Sequence, residues 1–442
     1  MMWTREEAQK LAERILSLSR FPECTVTLAA SEQANVRFAN NGITTAGFVL
    51  ERSVTVTSTR DGRSGTAQTT ETDPAGLEAV VRRSEELAAL APPNPEHMPP
   101  LGPQEYPETG KYDEATARAR SPEMVPHIAA VIEAARKNKL VAAGFFLRST
   151  TVRAVANKDK LFGYNRSADA RLTTTMRTPD GTSSGWAGRP SLRIAEISGR
   201  EIAERAIDKC LRWRKAERLE PGTYTVVLEP TAVGDLVGRM GFAMDARAAE
   251  EGRSFLSKKG GGTRLGEKLF AEFVTLRSDP FDPRLPALPW TGELLPSRRI
   301  VWVENGVVRN LVYTRYWAAK TGKEPTGFPG SLVMEGGEGS VEDLIRQTER
   351  GLLVTRFWYI RIVNPQTLQF TGLTRDGLFV IENGKVSRPV RNLRFNDSPV
   401  RLLQNAQRAG RPERVQGAEG GSLVVPPLVS TGFQFTSVSD AV

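Results

Sequence analysis

Two segments with the same turn sequence constrain the fold most. An Asn-Gly pair joins two apolar arms at Asn383-Gly384, where Leu378–Ile381 and Val386–Val390 flank it, and Asn305-Gly306 repeats the pattern. Asn and Gly tolerate the positive φ of a type I′ turn, so each segment predicts a β-hairpin. Because FVIENGKV and VWVENGVV are so similar, we expect them to be successive hairpins of one meandering sheet.

The rest of the chain mixes helical and strand patterns. Capping signals and apolar periodicity predict several helices. They begin at Thr4, Pro74, Pro122, Ser198, Thr231 and Ser340. Phe357–Val363 is rich in aromatic and branched residues and predicts a buried strand. Strands linked by hairpins rather than by βαβ units indicate an α+β fold with antiparallel sheets.

The length of the chain indicates two domains, because 442 residues exceed one ordinary core. We place the boundary at Pro221-Gly222, which gives domains of residues 1–220 and 221–442. The connector at residues 91–107 contains seven prolines, which exclude regular structure there. We interpret it as lying within the first domain.

Charge and composition favour a cytosolic protein without nucleic-acid or membrane partners. The net charge of +9 is spread along the chain, and its densest cluster, Arg408–Arg414, lacks interleaved aromatic residues. No apolar run is long enough for a membrane span. With only Cys24 and Cys210, a disulfide framework is excluded.

The C-terminal sequence resembles a known family. The segment FVIENGKVSRPVRNLRF, preceded by NPQTLQFTGLTRDG, is similar to the TldD/PmbA proteins, also called modulators of DNA gyrase. The resemblance includes SDPFDP, IVWVENGVVRNLVYTRYWAAKTG and GFPGSLVMEGG, and so covers most of the chain from Pro221 onwards. It implies an N-terminal α+β domain and a sheet-rich C-terminal domain, assembled as a dimer. The family contains metalloprotease subunits and metal-free partner subunits.

The metal motif of the protease subunits is missing here. Those subunits carry a helical HExxxH after the first strand of the C-terminal domain, and a cysteine ligand further on. The corresponding helix here, Ala232–Glu251, contains no His and no Cys. The segment that matches the family's cysteine region, Gly417–Pro427, contains no Cys. His97 and His127 match neither position. The residues of the degenerate motif helix are Asp235, Val237, Gly238, Arg239, Phe242 and Asp245.

These observations predict no catalytic or metal-binding residue and no cofactor in this chain. The carboxylates of the motif helix suit Mg²⁺ or Ca²⁺ better than Zn²⁺. The resemblance implies that zinc is expected only in a TldD-type partner. There is no Gly-x-Ser-x-Gly elbow. Cys24 and Cys210 are interpreted as buried packing residues.

The hypothesis is a TldE/PmbA-like, non-catalytic subunit of a cytosolic TldD/TldE-type metalloprotease that acts on unfolded peptides. Its partner would be a TldD-type subunit or a second copy. The alternative is a stand-alone homodimer that binds peptides or proteins, and an enzyme that uses carboxylates stays open. Strand addition to a sheet edge would hold a peptide. Candidate contacts, each also interpretable as a core or dimer contact, are Tyr313, Tyr316, Trp317, Phe357 and Tyr359.

Overall fold

The structure is a computed structural model that describes residues 2–110, 112–328, 330–417 and 421–439. The helices and strands of the N-terminal half are α1 (Arg5–Leu18), β1 (Glu23–Ala39), β2 (Gly42–Arg60), β3 (Arg63–Thr69), α2 (Pro74–Leu90), α3 (Glu114–Arg118), α4 (Ser121–Lys137), β4 (Val141–Asn157), β5 (Phe162–Arg177), β6 (Ser184–Ser191) and α5 (Gly199–Arg212). Thr4, the predicted cap of α1, and Ser198, the predicted first residue of a helix, both accept a main-chain N–H of their helix.

The N-terminal strands form one antiparallel sheet in the order β3-β2-β1-β4-β5-β6. Alternate residues of β1 point to one face, where α1 and α2 cover one part and α4 and α5 cover the other. From sequence alone, Val141–Leu147 and Val152–Ala156 predict two separate short strands, but both lie in the continuous strand β4. The polar residues between them stay in the sheet because Arg148 bonds Glu32 across the ladder.

The C-terminal half begins with β7 (Gly222–Leu228). The elements that follow are α6 (Pro230–Val237), α7 (Ala246–Glu250), β8 (Leu276–Ser278), β9 (Ile300–Glu304), β10 (Val307–Val308), α8 (Arg315–Thr321), β11 (Val333–Met334), α9 (Val341–Arg346), β12 (Arg350–Val354), β13 (Phe357–Asn364), β14 (Gln369–Thr374), β15 (Leu378–Glu382), β16 (Lys385–Pro389), β17 (Leu393–Asp397), α10 (Pro399–Gln404), β18 (Ala406–Ala409), β19 (Glu413–Gln416), β20 (Ser422–Val425) and β21 (Leu428–Val438).

These strands form two sheets. The six-stranded sheet has the order β10-β9-β8-β11-β20-β19, and the nine-stranded sheet runs β13-β14-β17-β21-β7-β12-β15-β16 with β18 paired to β21. Most pairs are antiparallel, whereas β7–β12 and β11–β20 are parallel. One core of buried apolar side chains includes residues of both sheets and of α6. The α+β prediction is confirmed.

Both Asn-Gly hairpins form, but they do not belong to one sheet. Asn305 and Asn383 have positive φ, as a type I′ turn requires. However, β9–β10 lies in the six-stranded sheet and β15–β16 in the nine-stranded sheet, so the predicted single meander is wrong. Turn chemistry fixes a local hairpin and carries no information about its neighbours. Here β15 pairs with β12, which is itself paired with β7.

The strand predicted at Phe357–Val363 forms, but the prediction that it is buried is wrong. The segment forms β13, the terminal strand of the nine-stranded sheet, and Tyr359, Ile362 and Val363 are exposed. Tyr359 has φ of 55°, and the register with β14 shifts between Trp358 and Arg361. A bulge of this kind is typical of sheet edges and turns a side chain outwards. The hydrophobicity of the segment therefore does not reflect burial.

The proline-rich connector contains no helix or strand, as predicted. It contacts the C-terminal half, where the ring of Tyr106 lies 5.3 Å from that of Trp290 and Arg315 donates to the carbonyl of Pro99. No helix within the described part of the chain has the length and apolar character that a membrane span requires.

Candidate functional site

The predicted motif helix is broken into three pieces. Helix α6 begins after Glu229 with Pro230 in its first turn and ends at Val237; a 3₁₀ turn at Gly241–Ala243 and helix α7 follow. The prediction of one helix over Ala232–Glu251 with a Thr231 cap is therefore wrong. Gly238 and Gly241 have low helix propensity, and Asp245 starts α7 by accepting from the N–H of Ala248.

This broken segment forms one wall of a cavity of about 560 Å³. Five of the six motif residues line it: Asp235, Gly238, Arg239, Phe242 and Asp245. The sixth, Val237, points into the C-terminal core. The other walls come from distant segments, and their larger side chains are Phe328, Leu332, Ile362, Leu368, Phe370 and Leu423.

Two glycines bring α6 close to the opposite wall. A Cβ built on Gly234 would lie 2.9 Å from Val415, and one on Gly238 would lie 3.2 Å from Leu423. Contacts this short leave no room for a larger side chain. The spacing of four residues places both glycines on one face of α6. The helix thus packs directly against β19 and β20, which border Gly417 and Gly421 at the cavity.

Asp235 is the buried polar group of this wall. Its residue is 5% exposed, and its Oδ2 accepts from the N–H of Phe357, the first residue of β13, at 3.0 Å. The Arg239 guanidinium lies 5.4 Å from the centroid of the Phe370 ring. The second carboxylate, Asp245, caps α7. Both carboxylates therefore already accept main-chain N–H groups.

A buried arginine lies beside the Asp235 contact. Arg356 is 7% exposed; its Nη1 lies 3.5 Å from Oδ2 of Asp376, and its Cζ is 4.4 Å from the ring centroid of Trp186 and 5.2 Å from that of Trp358. Burial lowers the pKa of its guanidinium, whereas the charges of Asp376 and Asp235 oppose this shift. The contact with Trp186 joins β13 to the N-terminal sheet.

The mouth of the cavity is apolar and exposed. Phe242 is 80% exposed, and Phe328 and Ile362 are about half exposed. Ile362 belongs to β13, whose side opposite β14 pairs with no other strand of the described ranges. A sheet edge with unpaired N–H and C=O groups is a template for an extended chain. The arrangement can therefore hold an extended peptide beside an apolar cavity.

The aromatic candidates differ in accessibility. Tyr313, Trp317 and Phe357 are buried in the C-terminal core, and burial raises the pKa of the Tyr313 hydroxyl. Trp317 donates its indole N–H to Glu250 at 3.0 Å, and Tyr316 is partly buried. Tyr359 is 59% exposed on the free edge of β13. Of these five residues, Tyr359 is the one placed to contact a ligand without rearrangement.

The residues present do not fit the zinc ion that the family resemblance implies for protease subunits. Zinc sites in proteins use imidazole, thiolate and carboxylate ligands, commonly four. In the described ranges no group of three or more His, Cys, Asp or Glu residues is arranged to hold a metal. His97 bonds Glu23, and His127 packs on Phe146, both in the N-terminal half. Cys24 and Cys210 are buried, and burial raises their thiol pKa values.

Sequence reasoning missed the walls that distant segments contribute. Ile362, Leu368 and Phe370 lie in and around β13 and β14, which the sequence assigned to a buried strand and its neighbour. Phe328 belongs to GFPGSLVMEGG, which matches the family but was assigned no role, and Leu423 belongs to Gly417–Pro427, which was matched only to the region of the family's cysteine ligand. The match of these two segments to the family was the available signal. Ala418–Gly420 lie outside the described residues.

Comparisons with known proteins identify the family of the chain. The chain matches the family descriptions "PmbA/TldA metallopeptidase C-terminal domain" over residues 221–437 and "PmbA/TldA metallopeptidase domain 1" over residues 24–88. A metalloprotease of Methanothermobacter thermautotrophicus is 25% identical over 229 residues, which is 49% of each chain. The chain thus spans about half the length of the curated relatives it matches.

Two solved structures share the fold over nearly the whole chain. TldE from Thermococcus kodakarensis superposes with a TM-score of 0.84 at 22% identity, covering 97% of this chain and 99% of TldE. A candidate modulator of a DNA gyrase from Thermotoga maritima gives 0.84 at 18% identity, covering 97% and 100%. The two family matches together cover more than half of the sequence. The chain therefore belongs to the PmbA/TldD family and has a TldE-like fold.

Proposed function

We propose that this chain is a TldE-like, non-catalytic subunit of a TldD/TldE-type metalloprotease that acts on unfolded peptides. The observation that carries the proposal is the chemistry of the cavity wall. The segment that corresponds to the family's metal motif lines the cavity, but it presents Asp235, Gly238, Arg239 and Phe242 instead of imidazoles. Its two carboxylates bond main-chain N–H groups. Such a wall suits binding and not the activation of water.

The free edge of β13 supports the peptide part of the proposal. A strand that pairs with β13 would receive main-chain hydrogen bonds whatever its sequence. Because side chains alternate along a strand, every second peptide side chain would lie on the Ile362 face, over the cavity. The apolar residues around the cavity favour apolar side chains at those positions. Tyr359 would contact the peptide at the bulge.

In this proposal zinc and catalysis belong to a TldD-type partner subunit. The present chain contributes the cavity wall and the free edge of β13 to the peptide-binding site. Peptide binding at these elements lowers the KM of the pair, and the chain adds no catalytic groups. The two unpaired, buried cysteines support a reducing, cytosolic location.

The proposal is tested by hydrolysis of an unfolded polypeptide, reduced and carboxymethylated α-lactalbumin. We expect the purified pair to cleave it faster than the TldD-type subunit alone at equal concentration. Equal rates would contradict the proposal. If this chain alone forms a stable dimer that binds the polypeptide and the TldD-type subunit gains nothing from it, the alternative of a stand-alone homodimeric binding protein is favoured.

A further inference from the structure

We propose that Asp235 and Arg356 are positioning residues that hold the free edge of β13 in the conformation that binds peptide. This inference rests on the proposed function. Arg356 directly precedes β13 in the chain. Asp235, in α6, accepts from the N–H of Phe357, the first residue of that strand. Asp235, a residue of the degenerate motif segment, thereby makes a contact that fixes the strand.

The Asp235 contact anchors β13 to α6. Oδ2 of Asp235 accepts from the N–H of Phe357 at 3.0 Å in a site where Asp235 is buried. A hydrogen bond from a main-chain N–H to a buried carboxylate is stronger than one between neutral groups. Phe357 itself packs between Phe395 and Phe433 in the core, with ring centroids 4.8 Å and 5.6 Å away. The strand is thus fixed at its first residue.

Arg356 anchors the same end to the N-terminal half. Its guanidinium contacts the rings of Trp186 in β6 and Trp358 in β13. Asp376, its ion-pair partner, accepts from the hydroxyl of Ser184 at 2.8 Å, again in β6. A cation over aromatic rings in a desolvated site is stabilising. Contacts of Arg356 with the N-terminal sheet therefore help to fix the position of β13.

Along β13, the anchored residues Phe357 and Trp358 come before the Tyr359 bulge, and Ile362 comes after it. Trp358, directly before Tyr359, contacts Arg356, whereas Ile362, three residues beyond it, lines the cavity. A bulge changes the direction of a strand. Loosening its anchored end will therefore change how the remaining edge, Ile360–Asn364, is presented to a peptide.

The test uses the full-length chain, fluorescein-labelled reduced and carboxymethylated α-lactalbumin, and hydrogen exchange of the β13 amides. Asp235→Ala removes the acceptor and the charge, and we expect Kd for the polypeptide to rise about tenfold. Exchange of Trp358–Asn364 should accelerate in parallel. Asp235→Asn keeps an acceptor for Phe357 and should raise Kd about threefold, which provides a second variant if the alanine variant fails to fold.

Asp397→Asn is the matched control. Asp397 is buried in the same sheet, accepts from the N–H of Gln434 at 2.7 Å and pairs with Arg401, and its strand β17 pairs with β14 and β21. We expect this variant to keep the wild-type Kd and the wild-type exchange of β13. Equal loss of binding in the Asp397 and Asp235 variants would overturn the inference, because any buried carboxylate would then have the same effect.

A double-mutant cycle tests the coupling of the two residues. In an Arg356→Met background, Asp235→Asn should raise Kd less than it does in the wild type, because the guanidinium charge that Asp235 influences is absent. The inference would be overturned if the effects of the two substitutions on Kd simply multiply. It would also be overturned if Asp235→Ala keeps the wild-type Kd and the wild-type exchange of β13. Wild-type protein that does not bind the polypeptide would instead contradict the proposed function, and exchange of β13 would still decide whether Asp235 positions the strand.

Discussion

Each half of the molecule buries an arginine, and the two are held differently. In the N-terminal sheet, Arg148 is fully buried, and its Nε and Nη1 donate to the carbonyl of Ala119, to the carbonyl and carboxylate of Glu32, and to Thr150. In the C-terminal half, Arg356 depends on two tryptophan rings and on a carboxylate 3.5 Å away.

The difference separates a residue of the fold from a residue beside the site. Hydrogen bonds of Arg148 fix its position within one sheet, so its loss should disturb that sheet and little else. Arg356 joins the N-terminal sheet to the start of β13, whose far end lies at the cavity. Loss of Arg356 should therefore lower the unfolding free energy less than loss of Arg148 does, and it should raise Kd for the polypeptide more. We therefore expect the loss of unfolding free energy to be largest for Arg148, smaller for Arg356 and smallest for Tyr359.

Arg148→Met should be the most destabilising change. It leaves Glu32 with Arg120, which is partly exposed, as its ion-pair partner. Breaking a buried ion pair costs about 3–5 kcal/mol of unfolding free energy. Urea-dependent hydrogen exchange of the β4 amides measures this loss, and Kd for the unfolded polypeptide should not change in the folded protein. If Arg148→Met lowered the unfolding free energy less than Arg356→Met does, the proposed difference between the two arginines would be wrong.

Arg356→Met should cost about 2 kcal/mol, the scale of a desolvated cation–π contact. Asp376 keeps the hydroxyl of Ser184 as a donor, which limits the loss. We expect a larger increase in Kd for the polypeptide than Arg148→Met causes. Fluorescence anisotropy at a temperature well below both unfolding midpoints measures it. Unchanged affinity would show that Arg356, like Arg148, serves only the fold.

Acid should weaken the N-terminal half first. Burial beside Phe146 lowers the pKa of His127 below its ordinary value of 6.5. As the pH falls below 6.5, the unfolded chain takes up a proton that the folded chain does not, so stability is full above 6.5 and declines below it.

Hydrogen exchange of β4 and β12 at about pH 7.5 and about pH 5.5 compares the two halves within the titration range of histidine. His127→Gln is the control, and it should reduce the extra acid sensitivity of β4. The same pH dependence in this variant would assign the effect to another group.

Tyr359→Asn should change stability least. Asn tolerates positive φ better than an aromatic residue does, so we expect unfolding free energy to stay within about 0.5 kcal/mol of the wild type or to rise. The exposed ring is lost, so Kd for the polypeptide should rise about threefold. Anisotropy measures Kd and urea denaturation measures stability. A large loss of stability would mean that the ring supports the bulge.

Features set by neighbouring residues could be predicted from the sequence. The hairpins at Asn305-Gly306 and Asn383-Gly384 and the helix caps at Thr4 and Ser340 form as expected, because a turn or a cap depends on a few adjacent residues. The assignment of the hairpins to a common sheet was wrong, since strand neighbours are chosen by packing across long distances in the sequence.

The site was predictable only in part. The family resemblance identified the motif segment, and five of its six residues line the cavity. The break after Val237 and the edge position of β13 could not be seen, because apolar periodicity does not distinguish a core helix from a bent cavity wall, nor a buried strand from an exposed one. Ile362 thus reads as a core residue in the sequence but lies at the mouth of the cavity.

The most direct test of the central claim is a joint measurement of bound zinc and of hydrolysis for this chain alone and for its complex with a TldD-type subunit. The account predicts no hydrolysis of the unfolded polypeptide and only substoichiometric zinc for the chain alone. The complex should contain zinc in the partner and cleave the polypeptide. Stoichiometric zinc in this chain alone, with hydrolysis that a chelator abolishes, would contradict the account.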